Sequence, residues 1–331
     1  MTDQTSRDAI VAAARESIAR GSKSFAAASK LFAPKVRERA WLLYAWCRAC
    51  DDIADGQDHG HDMTGVTDGP ARLAEMSAKT EAALAGVPVG EPAFDALRMF
   101  AAETALPPAL PRDLIAGFAL DADGWRPQTE QDLYRYCYHV AGVVGSMMAI
   151  AMGVSPDDYA TLDRACDLGL AFQLANIARD VAEDARAGRC YLPQDWLDEF
   201  GIPADAMLAP EYRDRLGLLG ERLGLLAARY EASARFGTPA LAFRSAWAVL
   251  AAAGIYGAIG RKVAALGPRA WDVRVGTSGS AKVGFIRRAF GEAMRRKALY
   301  PPSVRDATLW TRPREAFNAS LTSSPAKAGA E

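Results

Sequence analysis

Apolar residues recur at helical spacing along most of the chain, and the strict alternation that marks strands is scarce. The 3.6-residue period predicts helices over about 7–20, 36–55, 93–104, 112–122, 130–152, 157–185, 212–235, 239–266 and 282–299. A polar, Gly-rich loop, "GQDHGHDMTGVTDGP", covers 56–70, and "GVPVGEP" (86–92) and "LPPALPRD" (106–113) are further breaks. None of these resembles an interdomain linker. Residues 1–300 therefore read as one all-α domain, and 301–331, ending in "NASLTSSPAKAGAE", as a largely mobile C-terminal tail.

Composition narrows the function classes. With 331 residues, half of them apolar and 24% charged, the chain can bury a sizeable core. A net charge of −1, with no basic-plus-aromatic signature, argues against a nucleic-acid partner. The most apolar runs, 141–154 and 245–260, are short and rich in Ala and Gly, so they read as core helices rather than membrane spans. The N-terminal stretch is charged throughout and lacks the apolar centre of a signal peptide. Five cysteines, an odd number embedded in helical patterns, read as reduced, buried thiols of a cytoplasmic protein. Cys47 and Cys50 form a C-x-x-C, but without a second pair or a strand-loop context it points to neither zinc nor redox chemistry.

The candidate chemistry lies in two helices. In "QLANIARDVAEDARAGRCYLP" (173–193), Gln173, Asn176, Asp180 and Asp184 fall within an arc of about 80°. In "WLLYAWCRACDDIADG" (41–56), Tyr44, Arg48, Asp51 and Asp55 fall within about 60°. Each face ends in a D-x-x-x-D with an arginine just before it, Arg48 or Arg179. Carboxylates one turn apart repel by roughly 0.2–0.5 kcal/mol even on an exposed helix, and these helices are otherwise apolar. One such pair would read as an exposed acid cluster; two matching ones demand countercharge. Magnesium, which binds through one or two carboxylates plus substrate phosphates, suits that demand, with the arginines gripping the remaining phosphate oxygens. No Walker A loop and no G-x-G-x-x-G fingerprint is present.

At these residues the sequence resembles the squalene/phytoene synthase family. The matching stretches are "GSKSFAAASKLF" (21–32), "LLYAWCRACDDIADG" (42–56), "YRYCYHVAGVVGSMM" (134–148) and "LGLAFQLANIARDVAEDARAGRCYLP" (168–193), in the family's order. The resemblance implies an all-α isoprenoid synthase fold, with a central cavity between Asp-rich helices on opposite walls. It also implies a prenyltransferase that joins two prenyl diphosphates head to head. Geranylgeranyl diphosphate is the expected substrate, passing through prephytoene diphosphate to phytoene in the first step of carotenoid biosynthesis. A thirty-carbon synthase using farnesyl diphosphate and a non-catalytic helical assembly factor are the alternatives.

By motif position, Asp51, Asp55, Asp180, Asp184 and Asn176 would hold Mg²⁺, or Mn²⁺ in its place, and no NADPH is expected. Arg48, Arg179, Ser22 and Ser24 would bind diphosphate, and Gln173 would line the polar face. Tyr44 and Tyr256 would meet diphosphate or the carbocation, and Tyr136, Val140 and Gly145 would line the hydrocarbon channel. Gly21 stands where some relatives carry His, and "DVAED" lacks the central Gly of many; neither change removes a ligand.

Other signals carry less. "DHGHD" (58–62) reads as a solvated loop. His139 reads as a core histidine or a proton acceptor, and "NAS" (318–320) as an idle glycosylation match. The basic, amphipathic stretch 285–300 reads as a solvated outer face or, because the product is a lipid, a peripheral membrane contact for its release. Other carotenoid enzymes are conceivable partners.

Overall fold

The computed structural model describes residues 2–55, 69–122 and 124–314, without the side chains of residues 2–6, Lys23, Ser24, Ala27 and Asp55. All its regular elements are helical: α1 (Thr2–Gly21), α2 (Lys23–Ser29), α3 (Pro34–Asp55), α4 (Gly69–Leu84), α5 (Pro92–Thr104), α6 (Ala109–Ala122), α7 (Glu130–Cys137), α8 (Val143–Ala151), α9 (Tyr159–Arg186), α10 (Gln194–Glu199), α11 (Arg213–Arg235), α12 (Phe243–Leu266) and α13 (Gly279–Leu299). The expected all-α class is what is found. The loop containing His59 and His61, and residues 315–331 with the "NAS" match, lie outside the described residues.

The 28-residue α9 is the central element. Its start is fixed by Asp158, whose side chain accepts from the Thr161 amide at 3.0 Å. Leu162, Cys166, Leu170, Leu174, Ile177 and Val181 are buried along it, and α8, α11 and α12 pack around it. Helix α12 is long and apolar enough to span a bilayer, yet here it lies among α9, α11 and α13. The cysteines are free thiols; Cys50, Cys137, Cys166 and Cys190 are buried and Cys47 is half-buried.

Between α7 and α8 the expected continuous helix is interrupted. A capping box starts α7: the Thr129 hydroxyl accepts from the Asp132 amide at 3.2 Å, and Asp132 accepts from the Thr129 amide at 3.0 Å. Tyr138–Gly142 then form a π-turn, in which the Val143 amide donates to the Tyr138 carbonyl. Such turns gather at functional sites; this one carries Val140 between Tyr136 and Val144, all three on one cavity wall.

Residues 69–84 held no predicted helix beyond the loop boundary, because Ala-rich α4 carries only a sparse apolar face. That face, Leu73, Met76, Thr80 and Ala83, has the spacing of one helix side, and the last three are buried. The chain after Pro301 also departs from the mobile tail expected. Residues 301–314 lie across α9, with Leu309 buried and Arg305 and Arg312 paired to the buried Asp167 and Asp163. The sequence there is polar, but its arginines meet buried acids that no nearer residue neutralises fully.

Candidate active site

A cavity of about 730 Å³ opens between α3, α4, α6, the α7–α8 wall and α9. Helix α3 contributes Tyr44, Cys47, Arg48, Asp51 and Ala54; α9 contributes Gln173, Asn176, Ile177, Arg179, Asp180 and Asp184. The two faces read from helical periodicity thus line one space. Val140 and Tyr136 join them.

Five expected residues are not among the described lining side chains. The backbone of Asp55 ends α3, but its side chain, like that of Ser24, is outside the described residues. Ser22 is not on the lining; its hydroxyl accepts from the Phe25 amide at 3.2 Å and caps α2. Gly145 is not on the lining either. A Cβ there would stand 2.3 Å from the Ala165 carbonyl oxygen, so the glycine exists to let α8 approach α9. Tyr256 is not on the lining; it is stacked on Phe172 with ring centroids 4.3 Å apart.

The structure answers how the carboxylates are kept close. Arg179 grips Asp180 through Nε at 2.8 Å and Nη2 at 2.5 Å. Arg274, reaching in from the segment after α12, adds a bond to Asp180 at 3.0 Å and a pair with Glu183 at 3.4 Å. Asp184 meets Arg189 at 3.3 Å, and Asp51 meets Arg48 at 2.6 Å. Burial raises the Asp184 pKa from its ordinary value, while Arg189 pulls it back and Asp180 and Glu183 add to the rise. Burial also raises the Tyr44 hydroxyl, against the lowering influence of Arg48. That hydroxyl occupies the space over Gly21, where a Cβ would stand 2.5 Å away.

Of the described lining side chains, Arg48, Arg72, Arg179 and Arg189 balance Asp51, Asp121, Asp180 and Asp184, four against four. The described lining thus carries no surplus positive charge, so a divalent cation would help an anion to bind there. Asn176 points to where one fits: its Oδ1 is buried, lines the cavity and has no hydrogen-bond partner. An amide oxygen beside carboxylates is a donor set for a hard divalent ion. Among the described residues no three His, Cys, Asp or Glu side chains converge on one point; Mg²⁺, completed by waters and phosphate oxygens, does not require that.

Away from the acids the wall is apolar and aromatic: Met76, Leu114, Phe118, Val140, Val144 and Ile177. Tyr136 stacks on Trp125 at 5.7 Å and on Tyr191 at 4.9 Å, and Asp121 accepts from both tyrosine hydroxyls at 3.1 Å. Burial raises both tyrosine pKa values, and it lifts the Cys47 thiol to about 12, so no thiolate faces the cavity. His139 is 3% exposed, its Nδ1 lies 2.7 Å from the Asp113 carbonyl, and it is absent from the lining. It is a core histidine.

Sequence reasoning missed Arg72, Asp121, Arg189, Tyr191 and Arg274. Arg189 and Tyr191 lie in the quoted "RCYLP" run, five and seven residues past Asp184, which was the available signal.

The family profile of squalene/phytoene synthase matches residues 18–281. The chain is similar to the 15-cis-phytoene synthase of Enterobacter agglomerans, 48% identical over 296 residues, covering 88% of this chain and 99% of the relative. It is similar also to the 15-cis-phytoene synthase of Pantoea ananas, 47% identical, covering 90% and 96%. A crystallised dehydrosqualene synthase in complex with ligand superposes with a TM-score of 0.77 at 26% identity, covering 88% of this chain and 98% of that one. A squalene synthase from Alicyclobacillus acidocaldarius shares the fold, with a TM-score of 0.69 at 23% identity, covering 80% and 96%.

Proposed function

We propose that this chain, which belongs to the squalene/phytoene synthase family, is a 15-cis-phytoene synthase that condenses two geranylgeranyl diphosphates head to head. The observation that carries the reading is the joining of both acidic helix faces in one cavity whose remaining wall is apolar and aromatic.

Asp51, Asp180, Asp184 and Asn176, with Asp55 at the end of α3, would hold Mg²⁺, which when bound draws charge from the diphosphate oxygens and eases departure of the leaving group. Arg48, Arg179 and Arg189 exchange their carboxylate partners for phosphate oxygens, a swap of one charge-assisted hydrogen bond for another. Met76, Leu114, Phe118, Val140 and Val144 exclude water from the allylic cation. Tyr191, at the end of the Trp125–Tyr136–Tyr191 stack, offers it a π-face. No external reductant enters this reaction. Substrate and product are lipids, so peripheral contact with a bilayer belongs to the same reading.

Incubating purified protein and Mg²⁺ with geranylgeranyl or farnesyl diphosphate, then identifying the extracted hydrocarbon, tests it. Phytoene is expected from the former. A thirty-carbon product with no phytoene assigns the chain to the farnesyl-using alternative. Full turnover by Asp51→Ala or Asp180→Ala, with helical circular dichroism retained, removes the metal assignment.

A further inference from the structure

Helix α11 is apolar on two sides. Leu216, Leu219, Leu223 and Leu226 are buried where it packs on α9 and α12. Leu218 and Leu225, two turns apart, point the other way and are 50% and 58% exposed. Asp214, Leu218, Glu221, Leu225, Ala228 and Ala232 follow one another at alternating steps of four and three residues. At about 100° per residue they share an arc of roughly 80°, and of the six only Ala228 is partly covered. Single exposed leucines are ordinary, but steps of four and three mark the seam of a paired helix.

The charges along this seam are ordered. Arg222 and Arg229 border it on one side by the same arithmetic. Asp214, Leu218 and Glu221 are mirrored by Arg229, Leu225 and Arg222 about the midpoint between Glu221 and Arg222, with acid answered by base and leucine by leucine. An antiparallel second copy sharing that midpoint pairs each Leu218 with a Leu225, each Asp214 with an Arg229 and each Glu221 with an Arg222. Asp214 and Glu221 enter no ion pair among the described residues. Arg222 holds Glu199 at 2.7 Å and Arg229 holds Asp306 at 3.2 Å, in exposed pairs whose guanidinium forks have donors for a second acid. The two acids set the seam against an anionic membrane, whereas mirror order about one point is what a twofold, self-complementary contact requires.

We propose that the outer face of α11 pairs two copies of this chain antiparallel, about a twofold axis at Glu221 and Arg222, with Leu218 and Leu225 packed beside the axis and Asp214 against Arg229 at both rims. No residue of the seam lines the cavity, and the inference does not depend on the proposed reaction. One helix from each copy makes an interface at the small end of the specific range, so half-association is expected near about 10 μM protein.

Sedimentation velocity of the full chain, over a decade of concentration on either side of that value, tests the pairing. Leu225→Glu should weaken the dimer about tenfold or more, with unchanged circular dichroism. Asp214→Arg and Arg229→Asp should each do the same, because each sets like charges opposite one another. The double variant Asp214→Arg/Arg229→Asp exchanges the charges across the axis and should dimerise like the parent. A short bismaleimide should join Glu221→Cys to its copy but not Ala232→Cys, which this register places about 30 Å from its copy. A monomer at every concentration overturns the proposal, as does a dimer that Leu225→Glu leaves intact. A double variant no better than its two singles overturns the register. Assemblies larger than two overturn it as well, since a self-complementary face closes at two copies.

Discussion

Replacing Arg305 with Ala removes the main countercharge of a carboxylate buried on α9. Asp167 has a side chain 1% exposed, and Arg305 holds it through two bonds, Nη2–Oδ1 at 2.6 Å and Nε–Oδ2 at 2.9 Å. The same guanidinium donates to the Trp310 carbonyl at 2.7 Å and the Thr311 hydroxyl at 3.0 Å, tying down the segment that carries it. Removing one partner of a buried pair costs about 3–5 kcal/mol. Ser233 still donates to Asp167 and Arg164 remains nearby, which places the expected loss near the lower end, about 3 kcal/mol.

The loss depends on pH in a defined direction. Burial already raises the Asp167 pKa in the folded protein, and Arg305 is the largest influence lowering it again. Without Arg305 the folded-state pKa rises further, so the folded variant binds its proton more readily than the unfolded chain does. The penalty is fully present above that raised pKa and fades as pH falls toward the unfolded value. Urea unfolding followed by circular dichroism at pH 7 and pH 5 should show the smaller deficit at pH 5. Asp167→Asn in the Arg305→Ala background should recover part of the loss, because no buried charge remains to be stranded. A deficit below about 1 kcal/mol at pH 7, the range of an exposed pair, would refute the buried-clamp reading.

Gly145→Val should destabilise by about 2 kcal/mol or more, since its Cβ would overlap the Ala165 carbonyl and force α8 from α9; a Tm shift measures it. Tyr136→Phe deletes a hydroxyl bonded to Asp121 and should slow hydrocarbon formation about tenfold while the fold is kept, read by product extraction. Arg274→Gln frees Asp180 of a half-exposed competitor, so half-maximal activity should need up to about fivefold less Mg²⁺; a higher requirement would count against the competition.

The helical class and the two acidic faces were legible because periodicity converts spacing into direction: Tyr44, Arg48 and Asp51 line the cavity with Gln173, Asn176, Asp180 and Asp184. What period cannot supply is which other elements arrive opposite those faces. Asp121 at the end of α6, Arg72 on the unassigned α4 and Arg274 beyond α12 reach the site through tertiary packing, and nothing near them in sequence marks the destination. Gly145 is off the lining for the same reason. Its neighbours in the chain face a channel wall, but the glycine itself faces α9.

Helix α9 shows why an acidic pair alone is an ambiguous sign. It carries a second D-x-x-x-D, Asp163 and Asp167, with an arginine inside it, Arg164, just as Asp180 and Asp184 follow Arg179. By spacing the two pairs are equivalent. The first pair is closed by the chain itself: Asp163 by Arg312 at 2.8 Å and Arg314 at 3.0 Å, and Asp167 by Arg305, all from the segment after α13. Those acids are buried, and so for the most part are Arg305 and Arg312, although Arg314 is more than half exposed. The second pair opens on a cavity, beside an amide oxygen without a partner, and part of its countercharge comes from Arg274 and Arg189, each at least half exposed. Charges held that loosely give way to a divalent ion and a diphosphate at small cost, whereas the Arg305 clamp does not. What separates a candidate ligand site from a structural tie on this helix is therefore the cavity beside the aspartates and their own partial exposure, rather than their spacing.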